Sequence, residues 1–413
     1  MYQLYRDFHL PPFFSYWGQN TSGDQKSLDE YCRDDTVDII MAGFMNVYNS
    51  TGGQPEINFA NLCSAGGNGV FKGTALPQCQ FMTDQIQKCQ AAGKAVLLSL
   101  GGGAGDEKVG FQSQAQAQQL ADTIWNEFLG GNSSTRPLGA AVLDGVDFDV
   151  EIGGPQFIAD FVNRIRSNSQ NSQKKFYVTA APQCPNIPDH MVGEAIENSD
   201  IDAVWVQFYN NPACNMNSPG YASSLDAWMK YLAAHSFNKN MKVFIGSAVD
   251  NKAAGQGFVD SATLAKDITQ AKGAYASQFG GAMIFDITEA VNNTVYKLED
   301  LTTALRAGDS TSNPTGSASE PAQTASAPAS TASGAVDAAS EAADAVSSAI
   351  DAAFGATDAI PEPTETTSKP TETTSQPIAT PITTKAASKP IVSSRFIRPD
   401  YIHGRRRPGV LPM

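Results

Sequence analysis

Short apolar runs of strand length recur along the chain up to Arg306. Eight can be distinguished, at residues 13–17, 37–46, 95–100, 145–151, 176–180, 203–209, 242–247 and 282–285. Segments with apolar residues at helical spacing separate them, among them residues 115–129, 156–168 and 261–272. Continuous apolar strands that alternate with helices are typical of parallel sheets buried on both faces. The pattern predicts an α/β fold, a (β/α)8 TIM barrel with its functional site at the carboxyl ends of the strands.

A doubly wound open sheet is the alternative fold for this alternation. It requires a glycine-rich turn of the form G-x-G-x-x-G after an early strand. Residues 101–105 follow a predicted strand, but their sequence GGGAG continues without that spacing. The closed barrel is therefore favoured.

The composition changes after the last predicted strand. From Gly308 to Lys389 the chain is dominated by Ser, Thr, Ala and Pro, and Phe354 is the only aromatic residue. Such a segment buries too little apolar surface to offset the entropy of ordering it. We expect an atypical lead-in at 1–11, a catalytic barrel at 12–306, a disordered linker or stalk at 307–390 and a basic, disordered end at 391–413.

Charge and hydropathy restrict the partners. The formal net charge of −14 argues against nucleic acid and anionic membrane surfaces as partners. No run of 18 apolar residues predicts a membrane-spanning segment. The opening MYQLYRDFHLPPFF lacks the basic start and apolar core of a signal peptide. Either export is unconventional or these residues are not the natural start, and we favour the second alternative. We expect a monomer.

The six cysteines all lie in the predicted barrel, at Cys32, Cys63, Cys79, Cys89, Cys184 and Cys214. Their spacings match neither a zinc site nor a C-x-x-C redox site, and the four histidines are scattered. We predict no metal and no cofactor. An even number of cysteines indicates three disulfides and an oxidising compartment, with six free thiols in a cytosolic enzyme as the alternative.

Four acidic residues crowd into the fourth predicted strand, at Asp144, Asp147, Asp149 and Glu151. Side chains alternate between the two faces of a strand, so the last three share one face. The apolar residues between them, Val146, Phe148 and Val150, share the other face. In a barrel strand this predicts three carboxyl groups that line the interior and rise towards the rim.

Such crowding is unfavourable, because like charges in a poorly solvated space raise one another's pKa. An exposed acidic strand and a calcium loop are the alternatives. The alternating apolar residues disfavour an open loop, and calcium loops need more oxygen donors and a central glycine. A functional interpretation makes Glu151 a general acid, whose neighbours hold its proton near neutral pH.

The D-x-x-D-x-D-x-E pattern from Asp144 to Glu151 resembles the signature of family 18 glycoside hydrolases. The chain is similar to the class III, hevamine-like chitinases of plants and fungi. Further matching segments are YWGQN at 16–20, LSLGG at 98–102, AAPQCP at 180–185 and VQFYNN at 206–211. The similarity covers nearly all of residues 15–306 and none of the tail.

The resemblance implies endo-hydrolysis of β-1,4 N-acetylglucosamine linkages in chitin, assisted by the substrate's own 2-acetamido group. Glu151 would protonate the glycosidic oxygen. Asp149 would orient the acetamido group and Asp147 would share a proton with Asp149. Tyr209 would donate a hydrogen bond to the acetamido oxygen.

The resemblance also implies a wider set of site residues. The expected substrate-binding residues are Gln207, Asn210, Phe285, Tyr16, Phe44, Asn46 and Gly102. Asp144 is expected to be structural, bracing the start of the motif. The implied disulfides are Cys32–Cys89, Cys63–Cys79 and Cys184–Cys214, and the implied location is extracellular or cell-wall associated.

One departure from the family concerns Phe285, which occupies the place of a tryptophan that floors a sugar subsite. It keeps open a second hypothesis, a catalytically weak or inactive, lectin-like chitin-binding protein. Cleavage of a related acetamido sugar bond is a third, and a cell-wall structural protein leaves the acid cluster unexplained. Only one strand–helix unit fits between the last two predicted strands, so we expect a shallow groove and endo-type cutting.

Overall fold

The computed structural model describes residues 12–20, 24–33, 36–103 and 109–307. The predictions for residues 1–11 and for the chain after Ala307 lie outside these described residues. Within them, no helix combines the length and the apolar character needed to cross a membrane.

The described residues form ten strands. In chain order they are β1 (Phe13–Trp17), β2 (Ile39–Val47), β3 (Glu56–Phe59), β4 (Cys63–Ser64), β5 (Ala95–Gly101), β6 (Gly145–Asp149), β7 (Tyr177–Ala180), β8 (Ala203–Gln207), β9 (Lys242–Ala248) and β10 (Phe279–Phe285). Eight of them are parallel neighbours in the order β1-β10-β9-β8-β7-β6-β5-β2. Strand β2 pairs back to β1, with Tyr16 opposite Met41, so the sheet closes on itself. The predicted (β/α)8 barrel is confirmed.

Helices lie between the barrel strands along the chain. They are α1 (Thr83–Ala91), α2 (Gln114–Glu127), α3 (Ile158–Ser169), α4 (Gly193–Asn198), α5 (Tyr221–His235), α6 (Ser261–Ala274), α7 (Ile287–Asn292) and α8 (Leu298–Arg306). Helices α2 and α6 begin at capping residues, where Ser113 and Asp260 accept bonds from backbone N–H groups of the first turn. Such caps set the positions at which the chain turns from a strand end into a helix.

The core has two layers, which explains why the strands are apolar throughout. One group of buried side chains fills the barrel and includes Phe14, Leu97 and Trp205. The other lies between the barrel and the helices, where Phe148 of β6 meets Phe161 of α3 at 5.2 Å between ring centroids. Each strand is therefore buried on both faces, as in other parallel barrels.

The structure corrects the predicted ends of two strands. Strand β6 ends at Asp149 and not at Glu151, and β8 ends at Gln207 and not at Tyr209. Glu151 and Tyr209 therefore each lie two residues beyond the end of a strand. The antiparallel hairpin of β3 and β4 was not predicted, because its strands are short and partly polar.

Three disulfides brace the barrel, Cys32–Cys89, Cys63–Cys79 and Cys184–Cys214. They are the pairs that the resemblance implies, and six free thiols do not describe this structure. The third bond joins the loop after β7 to the loop after β8, next to the acidic motif.

Candidate active site

A cavity of about 540 Å³ opens at the carboxyl ends of the barrel strands. Loop and strand-end residues line it: Gln19, Phe44, Asn46, Asn58, Gly101, Gly102, Gly103, Asp149, Glu151, Tyr209, Asn210, Ala253 and Phe285. The residues of the acidic motif thus rise from the barrel interior into an open cavity, as their shared strand face predicts.

Asp147 lies at the bottom of this arrangement and is fully buried. Its carboxylate accepts hydrogen bonds from the hydroxyls of Tyr16 (2.8 Å), Ser99 (2.7 Å) and Thr179 (2.9 Å). These donors come from β1, β5 and β7, so three other strands hold one carboxyl group. Burial raises the pKa of Asp147 to about 6, although the three hydroxyls act in the opposite direction.

Asp149 lies one layer higher and lines the cavity. Its Oδ1 accepts a bond of 2.6 Å from Nε2 of Gln207 on β8. Burial raises the pKa of Asp149 well above its usual range, and the nearby charges of Glu151 and Asp147 raise it further. Asp149 is therefore predisposed to hold or share a proton.

Glu151 stands at the rim and is half-buried. Its Oε2 accepts a bond of 3.0 Å from Nε2 of Gln183. Burial raises the pKa of Glu151, while hydrogen bonds from Gln207 and Gln183 lower it in part. The sequence attributed this effect to neighbouring acids, but removal from water is the dominant cause.

None of the ion pairs between described residues involves these three carboxyl groups. Their partners are neutral hydroxyls and amides, which satisfy an acceptor without supplying a positive charge. A carboxyl group in such surroundings keeps its proton to higher pH than an ion-paired one.

Tyr209 and Asn210 lie two and three residues beyond the end of β8 and line the cavity. Burial raises the pKa of Tyr209 well above its usual value, and the charges of Asp149 and Glu151 add to this. Tyr209 therefore keeps its hydroxyl proton and lies within electrostatic reach of the acids of the motif. Asn210 takes a left-handed backbone conformation and exchanges hydrogen bonds with Gln256, which holds the loop that carries Ala253.

The opposite wall contains Phe44, Asn46 and Gly102. A Cβ atom on Gly102, which has a φ of +90°, would lie 2.7 Å from the ring of Phe44, so only glycine fits. The side-chain oxygen of Asn46 is buried and accepts no hydrogen bond from the described residues. Phe285 packs on Tyr16 at 5.5 Å between ring centroids and forms part of the wall.

Two predicted substrate-binding residues do not line the cavity. Tyr16 lies beneath it, where its hydroxyl donates to Asp147 and accepts from the indole N–H of Trp205 at 3.0 Å. Gln207 lies behind Asp149 and is buried. Strand alternation gives the face on which Gln207 lies but not its depth in the barrel, and the resemblance that named Tyr16 does not give its depth either.

Asp144 lies at the other end of β6, as expected of a structural residue. Its carboxylate accepts from the backbone N–H of Val96 (2.8 Å) and from Gln90 (2.9 Å), and pairs with Lys174 at 2.9 Å.

Several residues at the site were not predicted. They are Gln183 beside Glu151, and Gln19, Asn58, Gly101, Gly103 and Ala253 in the wall. For Gln183 a signal was available, since Tyr177, Thr179 and Ala181 face the barrel interior and the same period-two spacing continues to Gln183.

The chain resembles known proteins in sequence and in fold. The sequence profile of glycosyl hydrolases family 18 matches residues 12–297. Chitinase 2 of Rhizopus oligosporus is 40% identical over 306 residues, which make up 73% of this chain and 54% of that protein. The chain spans about half the length of the fungal chitinases that it matches.

Solved structures share the barrel. The ICChI chitinase from Ipomoea carnea is 33% identical with a TM-score of 0.58, covering 67% of this chain and 95% of that one. The xylanase and alpha-amylase inhibitor protein XAIP-II from Scadoxus multiflorus is 32% identical with a TM-score of 0.58, covering 70% and 97%. One barrel thus carries proteins named as chitinases and as inhibitors.

Proposed function

The chain belongs to family 18 of the glycosyl hydrolases, and on this premise we propose that it hydrolyses β-1,4 linkages between N-acetylglucosamine units of chitin and chitooligosaccharides. The observation that carries the proposal is the ladder of three carboxyl groups with neutral partners that ends at Glu151 in an open cavity. Fungal relatives named as chitinases support the choice of substrate.

In the proposed mechanism Glu151 gives its proton to the glycosidic oxygen as the bond from that oxygen to the anomeric carbon breaks. The raised pKa of Glu151 supports this role, because the residue must enter the reaction as an acid. The 2-acetamido oxygen of the substrate bonds to the anomeric carbon, which gives an oxazolinium ion. Water then attacks that carbon as its bond to the acetamido oxygen breaks, Glu151 takes up a proton of the water, the acetamido group is restored, and the configuration is retained.

Asp149 and Tyr209 act on the acetamido group in this mechanism. Asp149 accepts a hydrogen bond from the acetamido N–H and stabilises the positive charge of the intermediate. The hydroxyl group of Tyr209 donates a hydrogen bond to the acetamido oxygen. Asp147, buried below, shares a proton with Asp149, so that the pair does not carry two full charges at once.

Cutting within the polymer is supported by the open cavity. Between β9 and β10 the chain holds the single helix α6 and no further domain that would deepen the groove. We propose endo-type cutting by a monomer. The three disulfides are compatible with an extracellular or cell-wall location.

A lectin-like chitin-binding protein is the second candidate, because Phe285 offers a sugar less area than an indole. Incubation of the chain with colloidal chitin separates the two, with pelleted protein and soluble reducing ends measured in parallel. We expect soluble oligomers of mixed length from the wild type. The variant Glu194→Gln changes an exposed carboxyl group on α4. It serves as the control for the assay and should behave like the wild type. Pelleting without reducing ends would favour the binding protein, and chitobiose alone at the earliest times would contradict endo-type cutting.

A further inference from the structure

Gln183 lies three residues beyond β7 and pairs with Gln207 through an isolated parallel bridge. The two side chains approach successive acids of the motif. Nε2 of Gln207 donates to Asp149 at 2.6 Å, and Nε2 of Gln183 donates to Oε2 of Glu151 at 3.0 Å. Neighbouring strand ends thus present amide donors to the two upper carboxyl groups, with Gln207 also contributing to Glu151 beside Gln183.

The backbone around Gln183 is fixed on several sides. Its N–H donates to the buried carboxylate of Asp189 at 3.2 Å, and that carboxylate also accepts from the N–H groups of Met191 and Val192. The next residue, Cys184, donates its N–H to the carbonyl of Gln207 and forms a disulfide with Cys214. A side chain on such a support keeps one position while the reaction proceeds.

From this arrangement we infer that Gln183 is a positioning residue for the acid, an inference that rests on the proposed function. An amide N–H is a donor only, and the oxygen of Glu151 that carries no proton is its stronger acceptor. Since Gln183 donates to Oε2, it favours the proton on Oε1 when Glu151 is neutral. After the proton has left, the same amide donates to a full anion, and this bond becomes stronger.

The test uses Gln183→Met, which keeps the length of the side chain and removes the donor. The pH dependence of kcat/KM reports the free enzyme, so its alkaline limb marks the loss of the Glu151 proton. The limb should move to higher pH by about one unit, because the anion loses a charge-assisted bond. The value of kcat at the optimum should fall by about tenfold or more, since the acid loses its orientation. KM should change little.

The other titratable groups that face Glu151 in the described residues are Asp149 and Tyr209. Both remain in the variant, so the shift of the limb belongs to the lost amide. Gln183→Glu is the second variant. It has the same shape but adds a carboxyl group, and it should move the limb further than Gln183→Met does.

Gln90→Met is the matched control. Gln90 also donates to a carboxylate and to a carbonyl, those of Asp144 (2.9 Å) and Val142 (2.8 Å), at the other end of the barrel. The alkaline limb of kcat/KM in Gln90→Met should coincide with that of the wild type.

The outcomes separate this inference from the proposed function. An inactive wild type would overturn the proposed function and this inference with it. An active wild type with unmoved limbs in both Gln183 variants would overturn this inference alone, whatever happens to kcat. If Gln183→Met fails to fold by circular dichroism, the limb of Gln183→Glu decides.

Discussion

Asp149 and Asp202 show how differently the two ends of the barrel treat a buried carboxyl group. Each side chain is about 3% exposed, and each lies in or next to a barrel strand. The pKa of Asp149 is raised well above its usual range by burial and by neighbouring acids. The pKa of Asp202 is lowered, because Arg166 and Lys175 offset its burial. Equal burial is therefore accompanied by opposite shifts of the pKa.

The partners explain the difference. At the amino end of the strands, Asp202 pairs with Arg166 at 2.7 Å and with Lys175 at 3.1 Å. At the carboxyl end, Asp147, Asp149 and Glu151 accept only from hydroxyls and amides. Asp202 is thus paired with two cations, and the three carboxyl groups proposed to move protons are paired with none.

The largest effect is expected for Glu151→Gln. The variant keeps the shape of the side chain and removes the proton donor, so kcat on chitotetraose should fall by about 10²–10⁴-fold. Release of reducing ends measures the effect, and unchanged thermal unfolding would show an intact fold. A variant that keeps a tenth of the wild-type rate would show that Glu151 is not the acid.

Asp202→Asn and Asp149→Asn break the comparison from its two sides. Asp202→Asn leaves two cations next to a neutral group, and the free energy of unfolding should fall by about 3–5 kcal/mol while kcat/KM of the remaining folded enzyme is kept. Asp149→Asn removes an unfavourable charge, so at pH 8 it should be at least as stable as the wild type but strongly impaired in kcat. Urea unfolding of both variants measures the contrast. Equal destabilisation by both would remove the distinction between the two ends.

Glu127 sharpens the comparison, because it is a buried carboxyl group outside the acidic motif, at the end of α2. Burial raises its pKa from 4.5 to about 7, against the bond from Thr135 and the charge of Arg136. The folded state therefore binds the proton more tightly than the unfolded state. The contribution of Glu127 to the free energy of unfolding should be fully present below about pH 4.5. It should be lost as the pH rises to about 7, by up to about 3 kcal/mol.

Glu127→Gln should remove the part of the loss that belongs to Glu127, so that the variant loses less stability than the wild type over this range. Urea midpoints at pH 5 and pH 8 measure it, with the exposed Glu194→Gln as control. A wild type whose stability does not fall between these values would show that burial alone does not set the protonation of this carboxyl group.

The smallest effect is expected at Phe285. Phe285→Ala removes the aromatic wall, and KM for chitotetraose should rise by about tenfold, which corresponds to about 1.4 kcal/mol of aromatic contact. Phe237→Ala, an exposed phenylalanine outside the cavity wall, should leave KM unchanged. Phe285→Trp should lower KM. An increase would mean that the cavity has no room for an indole.

The sequence predicts the barrel well, because every barrel strand is buried on both faces and therefore appears as an apolar run. It predicts the acids equally well, since three carboxyl groups on one strand face have no structural explanation. Depth is harder. Tyr16 and Gln207 face the interior as predicted but lie below the cavity, because their height depends on the register between strands.

The support of residues beyond the strand ends is the least predictable. Period-two spacing places Gln183 on the interior face and the resemblance names Asn210, but the bonds that hold them, to Asp189 and to Gln256, are not indicated by any periodicity. The polar hairpin of β3 and β4 is hidden for the same reason, since its four-residue strand gives too short an alternation to recognise.

The most direct test of the account is the anomeric form of the first product. Proton NMR during cleavage of chitotetraose by the wild type resolves the α and β anomers before they interconvert. Attack by the acetamido oxygen followed by attack of water inverts the anomeric carbon twice, so the account predicts the β anomer first. The α anomer first, or no product at all, would contradict it.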